Sequence, residues 1–162
     1  MSLNDRLQKV LSEEFMWYRI QPSHGAADAQ HVAAAAHVTG DIVAKTVMLR
    51  DGDGPFLMLV LPASCTLDLA AVRQSTGRPA LRLARESEFS PLFPDCAVGA
   101  MPPFGSLYGQ ALLADACLLD APEILFRGGN HDTLVRVRSE DWLSVARPVM
   151  GVWCKRHVPS AA

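Results

Sequence analysis

The stretch from Asp41 to Arg50, Asp-Ile-Val-Ala-Lys-Thr-Val-Met-Leu-Arg, constrains the fold more than any other part of the chain. It is β-branched and aliphatic, as a strand requires, with one cation in its middle. Val43, Lys45, Val47 and Leu49 share one parity, while Ala44, Thr46 and Met48 share the other. Side chains two apart lie on one face of a strand, so Lys45 projects among Val43, Val47 and Leu49. An ammonium aimed at an apolar face needs a partner, an opening or a ligand. The plainer alternative is a lysine that snorkels to water or discourages edge pairing. Asp51-Gly52-Asp53-Gly54 follows as a turn, and Phe56 to Leu61 is a second apolar strand. Together the two strands predict a hairpin with a slightly long loop.

The remaining elements follow from spacing and punctuation. Capping residues before Leu7, Val10 and Leu11 predict a helix from Asn4 to Phe15, and Met16 to Ile20 reads as a short strand broken by Pro22 and Gly25. Alanine-rich Ala26 to Val38, stopped by Gly40, predicts a second helix. Thr66 is placed to cap a helix from Leu67 to Thr76, ended by Gly77. A strand over Ala80 to Ala84 and a short helix over Glu86 to Phe93 precede a loop rich in proline and glycine, Pro94 to Gly109. Ala111 to Leu119 reads as a strand. Ile124 to Phe126 and Thr133 to Val137 read as a pair of strands around Gly128-Gly129-Asn130-His131. A helix from Ser139 through Val145 ends before Pro148, leaving a tail with Trp153 and Lys155-Arg156-His157. Helices and strands alternate irregularly, which predicts a single α+β domain with a mixed sheet or barrel and helices around it.

Composition removes several function classes. At 162 residues, 49% hydrophobic and 20% charged, the chain can bury a full core and is too apolar for disorder. A net charge of −2 argues against a dedicated DNA binder. Arg73, Arg78, Arg82 and Arg85 form the densest basic cluster, which suits an RNA backbone or a solvated face paired with Glu86 and Glu88. Cys65, Cys96, Cys117 and Cys154 are widely spaced, indicating neither a zinc site nor a disulfide framework. No metal or other cofactor is implied. His24, His31 and His37 read as surface or helix residues. No apolar run spans a bilayer and no signal-peptide pattern opens the sequence, so a reducing cytoplasm is the expected compartment.

Three features carry chemistry: Lys45, the loop Gly99-Ala100-Met101-Pro102-Pro103-Phe104-Gly105, and Gly128-Gly129-Asn130-His131. Prolines restrict the loop and glycines permit close approach, so it can present backbone groups to a small polar ligand. Cys96 beside Asp95 has neither a helix amino terminus nor an adjacent base to support a thiolate nucleophile. In this order, with Ala44-Lys45-Thr46-Val47, Leu61-Pro62-Ala63 and Leu67-Asp68-Leu69, the features resemble the YbaK/EbsC-like family, also called the prolyl-tRNA-synthetase-associated domain. The resemblance runs from about Ala26 to Val145.

The resemblance implies a trans-editing deacylase that hydrolyses the ester of a mischarged tRNA, with alanine, cysteine or serine on tRNA for proline or a related tRNA. Its partners would be the tRNA 3′ end and, in some settings, an aminoacyl-tRNA synthetase. It also implies that Lys45 anchors the tRNA terminus and that the Gly99 loop, with Ala100, Met101, Pro102 and Pro103, positions the aminoacyl group and terminal ribose. His131, with Gly129 and Asn130, would line the aminoacyl pocket or orient water. Thr46 resembles the cysteine-releasing branch, whereas Gly129-Asn130-His131 resembles the alanine-releasing one, which leaves the amino acid open. A non-catalytic tRNA- or synthetase-binding relative is the alternative.

Overall fold

The hairpin predicted around Lys45 is the centre of the molecule. The computed structural model describes residues 3–23 and 40–156. The helix expected at 26–38, His24, His31, His37 and His157 lie outside those residues. Strand β2 (Ala44–Asp51) pairs antiparallel with β3 (Phe56–Pro62), placing Lys45 opposite Leu61, Val47 opposite Leu59 and Leu49 opposite Leu57. The other face pairs Thr46 with Val60 and Met48 with Met58. Because successive side chains alternate, the two faces of this hairpin feed two separate cores. Met48, Met58 and Val60 join Met101, Phe104, Phe126 and Trp142 in the larger one. Leu49, Leu57, Leu59 and Leu61 join Cys65, Val72 and Trp153 in the smaller one.

Helix α1 (Asp5–Glu13) comes first and buries Leu7 and Leu11, four residues apart. Asn4 caps it, its side-chain oxygen accepting from Arg6 N at 3.0 Å and Leu7 N at 3.2 Å. Strand β1 (Tyr18–Pro22) starts two residues later than the sequence suggests and keeps Pro22 as its last residue. It is an edge strand, where the missing N–H costs little. After β4 (Cys65–Leu67) comes α2 (Leu69–Thr76), closed by Gly77 in the left-handed conformation. Asp68 rather than Thr66 caps α2, because Thr66 is occupied in β4 opposite Lys155.

Next come β5 (Leu81–Leu83) and the single-turn helix α3 (Glu86–Phe89), which continues as a 3₁₀ turn through Leu92. Strand β6 (Ala111–Asp115) ends earlier than expected, since the Asp115 carboxylate accepts from Cys117 N and starts a 3₁₀ turn. Strands β7 (Glu123–Arg127) and β8 (Thr133–Arg138) form the second predicted pair, followed by α4 (Ser139–Ala146). The tail forms β9 (Val149–Gly151) and β10 (Cys154–Arg156).

The strands arrange as a five-stranded sheet β5-β2-β3-β6-β9, a three-stranded sheet β1-β8-β7 and the ribbon β10-β4. A parallel bridge between Val43 and Leu125 links the first two. The α+β class stands, but the described strands do not close into a barrel.

A second correction concerns cysteine. Cys65 and Cys154 form a disulfide between residues 89 apart in sequence, with Cα atoms 5.4 Å apart. Sequence spacing hides it because β4 and β10 meet only through tertiary pairing. Cys96 and Cys117 take no part in this bridge.

Candidate active site

Two loops build the site, and backbone hydrogen bonds hold them together. Ala97 N donates to Gly129 O at 2.9 Å, and Gly129 N donates to Ala100 O at 3.0 Å. The predicted Gly99 loop and the turn between β7 and β8 therefore face each other as one unit. Gly99 has φ +80°, and His131 Cε1 lies 3.8 Å from where a Cβ on Gly99 would stand. Ala100, Met101, Pro102 and Pro103 are buried, so their side chains back the loop. Trp142 Nε1 donates to Pro103 O at 2.9 Å and fixes the loop's far end. What remains open is the backbone at Val98 and Gly99, both exposed.

His131 is tightly held. Arg127 Nη1 lies 2.6 Å from its Nδ1, and Val98 O lies 2.8 Å from its Nε2. A guanidinium only donates, so Nδ1 accepts and Nε2 carries the hydrogen given to Val98 O. Both ring nitrogens are engaged, which makes His131 a brace between β7 and the loop rather than a ready base. The adjacent Asn130 side chain accepts from Asp132 N at 2.9 Å, shaping the turn.

Lys45 occupies a different place. It lies on the face of β2 that carries Leu49 and the smaller core, whereas Thr46 lies on the face that leads to Met101 and Phe104. Its ammonium donates to Cys65 O at 2.6 Å. Burial lowers its pKa from the usual lysine value of 10.5. Among the described residues Cys65 O takes one of its three N–H donors. No hydrogen bond or ion pair among the described residues joins Lys45 to the Gly99 loop or to His131. The structure thus unites Gly99, Gly129, Asn130 and His131, and sets Lys45 apart.

Asn4 is the site residue that sequence reading recognised only as a cap. Its side-chain amide donates to Asp95 O at 3.0 Å and Tyr108 Oη at 3.3 Å, while its backbone N donates to Gly128 O at 3.1 Å. One residue ties α1 to both loops. Cys96 lies in the same cluster, with its Sγ 3.0 Å from Tyr108 Oη. Burial pushes the Cys96 thiol pKa up, and neighbouring Asp95 adds to this, so the group is a thiol at neutral pH.

Two of the four arginines in the basic cluster read from the sequence, Arg78 and Arg82, are held in ion pairs, and Arg50 joins them from β2. Arg82 meets Glu88 at 2.6 Å, Arg50 meets the same carboxylate at 3.2 Å, and Arg78 meets Asp51 at 3.8 Å. The hydrogen bond from Arg82 foremost holds Glu88 well below the usual carboxylate range. No group of three or more potential metal ligands occurs among the described residues.

Known proteins share this architecture. A structure of the protein APE2540 aligns with a TM-score of 0.83 at 20% identity, over 93% of this chain and 100% of that one. A protein described as a candidate trans-editing enzyme for prolyl tRNA synthetase aligns with a TM-score of 0.78 at 22% identity, over 93% and 95% of the two chains. In sequence, the multifunctional Ser/Thr-tRNA deacylase ProXp-y of Escherichia coli (strain K12) is 26% identical over 149 residues, 90% of this chain and 89% of that protein. Residues 23–145, which hold both site loops and Lys45, match the aminoacyl-tRNA editing domain model, and the chain belongs to that family of aminoacyl-tRNA deacylases.

Proposed function

We propose that this protein is a trans-editing deacylase that releases a small amino acid, alanine, cysteine or serine, from mischarged tRNA for proline or a related tRNA. Supporting the substrate size are the rigid loop pair and the similarity to ProXp-y, whose name assigns it Ser/Thr-tRNA. Serine is common to both sets. An aminoacyl-tRNA synthetase is a further partner consistent with the description of the prolyl-tRNA-synthetase editing relative.

The chemistry asks little of the protein. An aminoacyl ester is already activated, so the site must place a nucleophile and stabilise the oxyanion. Water, held in place by the neighbouring ribose hydroxyl, adds to the ester carbonyl and gives up a proton. The acyl carbon–oxygen bond to the terminal ribose then breaks, and the ribose oxygen takes a proton.

The observation that carries the assignment is the exposed Gly99 backbone, held against His131 by the Ala97–Gly129 and Gly129–Ala100 hydrogen bonds. We assign the Gly99 N–H as oxyanion donor, His131 as the brace that fixes it, and Lys45 as the anchor for a phosphate of the RNA terminus. Gly129 and Asn130 shape the pocket wall. Thr46, Ala100, Met101, Pro102 and Pro103 set its size from behind, excluding larger residues as a second sieve does.

The test is deacylation of alanine, cysteine and serine esters on tRNA for proline, with matched controls, by wild type and Lys45→Ala. Hydrolysis of one small ester, lost in the variant, supports the assignment. Binding of tRNA without any hydrolysis supports a non-catalytic recognition module instead.

A further inference from the structure

The three-stranded sheet has two unlike faces. Ile124, Phe126, Val135 and Val137 face the main core. Residues directly opposite one another in paired strands share a face, and the register pairs Arg19 with Arg136, Arg136 with Leu125, Leu134 with Arg127 and Arg138 with Glu123. Arg19, Arg127, Arg136 and Arg138 therefore lie on the face turned away from the main core. This concentration occurs in a chain whose net charge is −2.

The face is open at one end and leads to His131 at the other. Leu125 and Leu134 on it are fully buried, while Arg19 and Arg138 are exposed. Between those arginines lies Trp17, 37% exposed, its ring centroid 5.9 Å from Arg19 Cζ and 5.6 Å from Arg138 Cζ. Phe15 nearby is 94% exposed and held at φ +53°. Neither Arg19 nor Arg138 makes an ion pair among the described residues, whereas Arg136 is held by Glu123 at 3.2 Å. The acids nearest Arg19 in sequence are Glu14 and Glu13, the latter 3.9 Å from Lys9, while Arg138 has Glu140 and Asp141 next to it in the chain and Glu123 opposite it in the register. At the far end, the Ser23 hydroxyl donates to His131 O, and Arg127 meets the His131 ring.

We propose that Trp17, Arg19 and Arg138 form a docking surface for the acceptor end of tRNA. An exposed tryptophan flanked by guanidiniums with no ion pair among the described residues is a stacking platform with phosphate ligands beside it. A nucleotide entering over Trp17 displaces one guanidinium from the ring, and that guanidinium turns to the phosphate. Trp17 and Ser23 are six residues apart along an extended segment, roughly 20 Å at about 3.3 Å per residue. Stacked nucleotides at about 3.4 Å each cover that span in about six. The surface therefore meets the acceptor end upstream of the ester. This placement relative to the ester rests on the deacylase assignment, whereas RNA binding by the surface does not.

The experiment measures binding of uncharged tRNA across a salt series for wild type, Trp17→Ala and the double variant Arg19→Gln/Arg138→Gln. Arg78→Gln serves as an off-surface control, and thermal melting confirms folding. Trp17→Ala should bind about tenfold more weakly. The double variant should lower the slope of log Kd against log salt by about 1.4, from two charges at about 0.7 each. Hydrolysis of an aminoacyl ester on a trinucleotide, too short to reach the surface, should match wild type in both. Unchanged affinity and slope, absence of tRNA binding by wild type, or equal loss on the trinucleotide ester would overturn the proposal. Failure of wild type to cleave any ester removes the deacylase function, yet the tRNA affinities still decide the docking surface.

Discussion

Asn4 fills the space that a side chain on Gly129 would need: a Cβ there would stand 2.6 Å from Asn4 Cβ, at a backbone φ of +97°. The N-terminal helix and the turn bearing His131 are thus fitted to each other at one contact. Asn4 lies outside the matched span of 23–145, yet it holds both loops within it. Gly129→Ala should destabilise the fold by about 1–3 kcal/mol, through the φ strain and the clash. Asn4→Ala should cost about 1–2 kcal/mol from the lost cap, plus the orphaned Asp95 carbonyl. Urea unfolding measures both. A change below about 0.5 kcal/mol in each would show that the loops are held by other contacts.

Lys45 gives a pH dependence of known sign. Burial lowers its pKa below 10.5, because the folded state disfavours the charged form. Below the lowered value both folded and unfolded chains bind the proton, and the folded state carries the full penalty. Between that value and 10.5 the folded ammonium loses its proton first, so stability from this group rises with pH. Activity that needs the ammonium runs the opposite way. Deacylation, corrected for spontaneous ester hydrolysis, should fall at alkaline pH from below 10.5, and Lys45→Ala should abolish that limb with most of the rate. An alkaline limb surviving in the residual activity of the variant would assign it to another group.

Cys96 should prove dispensable for chemistry. Its thiol is bonded to Tyr108 and its pKa is raised, chiefly by burial. Cys96→Ser should retain deacylation within about threefold, and alkylation of Cys96 at neutral pH should be slow. Loss of two or more orders of magnitude in rate, with a native melting curve, would instead make the thiol the nucleophile.

The Cys65–Cys154 bridge closes a long loop, spanning 89 residues. Loop entropy gives such a crosslink up to about 4–5 kcal/mol, and measured bridges more often give about 2–4. Cys154→Ser should lower stability by about that amount, and added dithiol should lower wild type equally but not the variant. Identical melting of wild type with and without dithiol would mean that the bridge contributes nothing to stability.

Local signals accounted for much of the fold. The Lys45 hairpin, the Asn4 cap, the glycine stop after α2 and the strand pair around Gly128-Gly129 all follow from residues within a few positions of each other. Element ends were less secure where a side chain chose a partner beyond that range. Asp68 displaced Thr66 as a cap because β10 engages Thr66 in β4. The barrel did not close, since closure depends on long-range pairing that no local pattern specifies.

The site divides along the same line. Residue type and order are enough to single out the candidate set: a lysine within an apolar strand, a proline-stiffened Gly99 loop and a histidine after a glycine turn. Their mutual placement comes from long-range contacts. The tertiary structure set Gly99 against Gly129 and locked both His131 nitrogens. It also gave the Lys45 ammonium to Cys65 O, and placed Arg19 and Arg138 around Trp17. Parity tells which face of a strand a side chain takes, but what meets that face depends on strands distant in sequence, whose pairing is fixed only when the whole sheet forms.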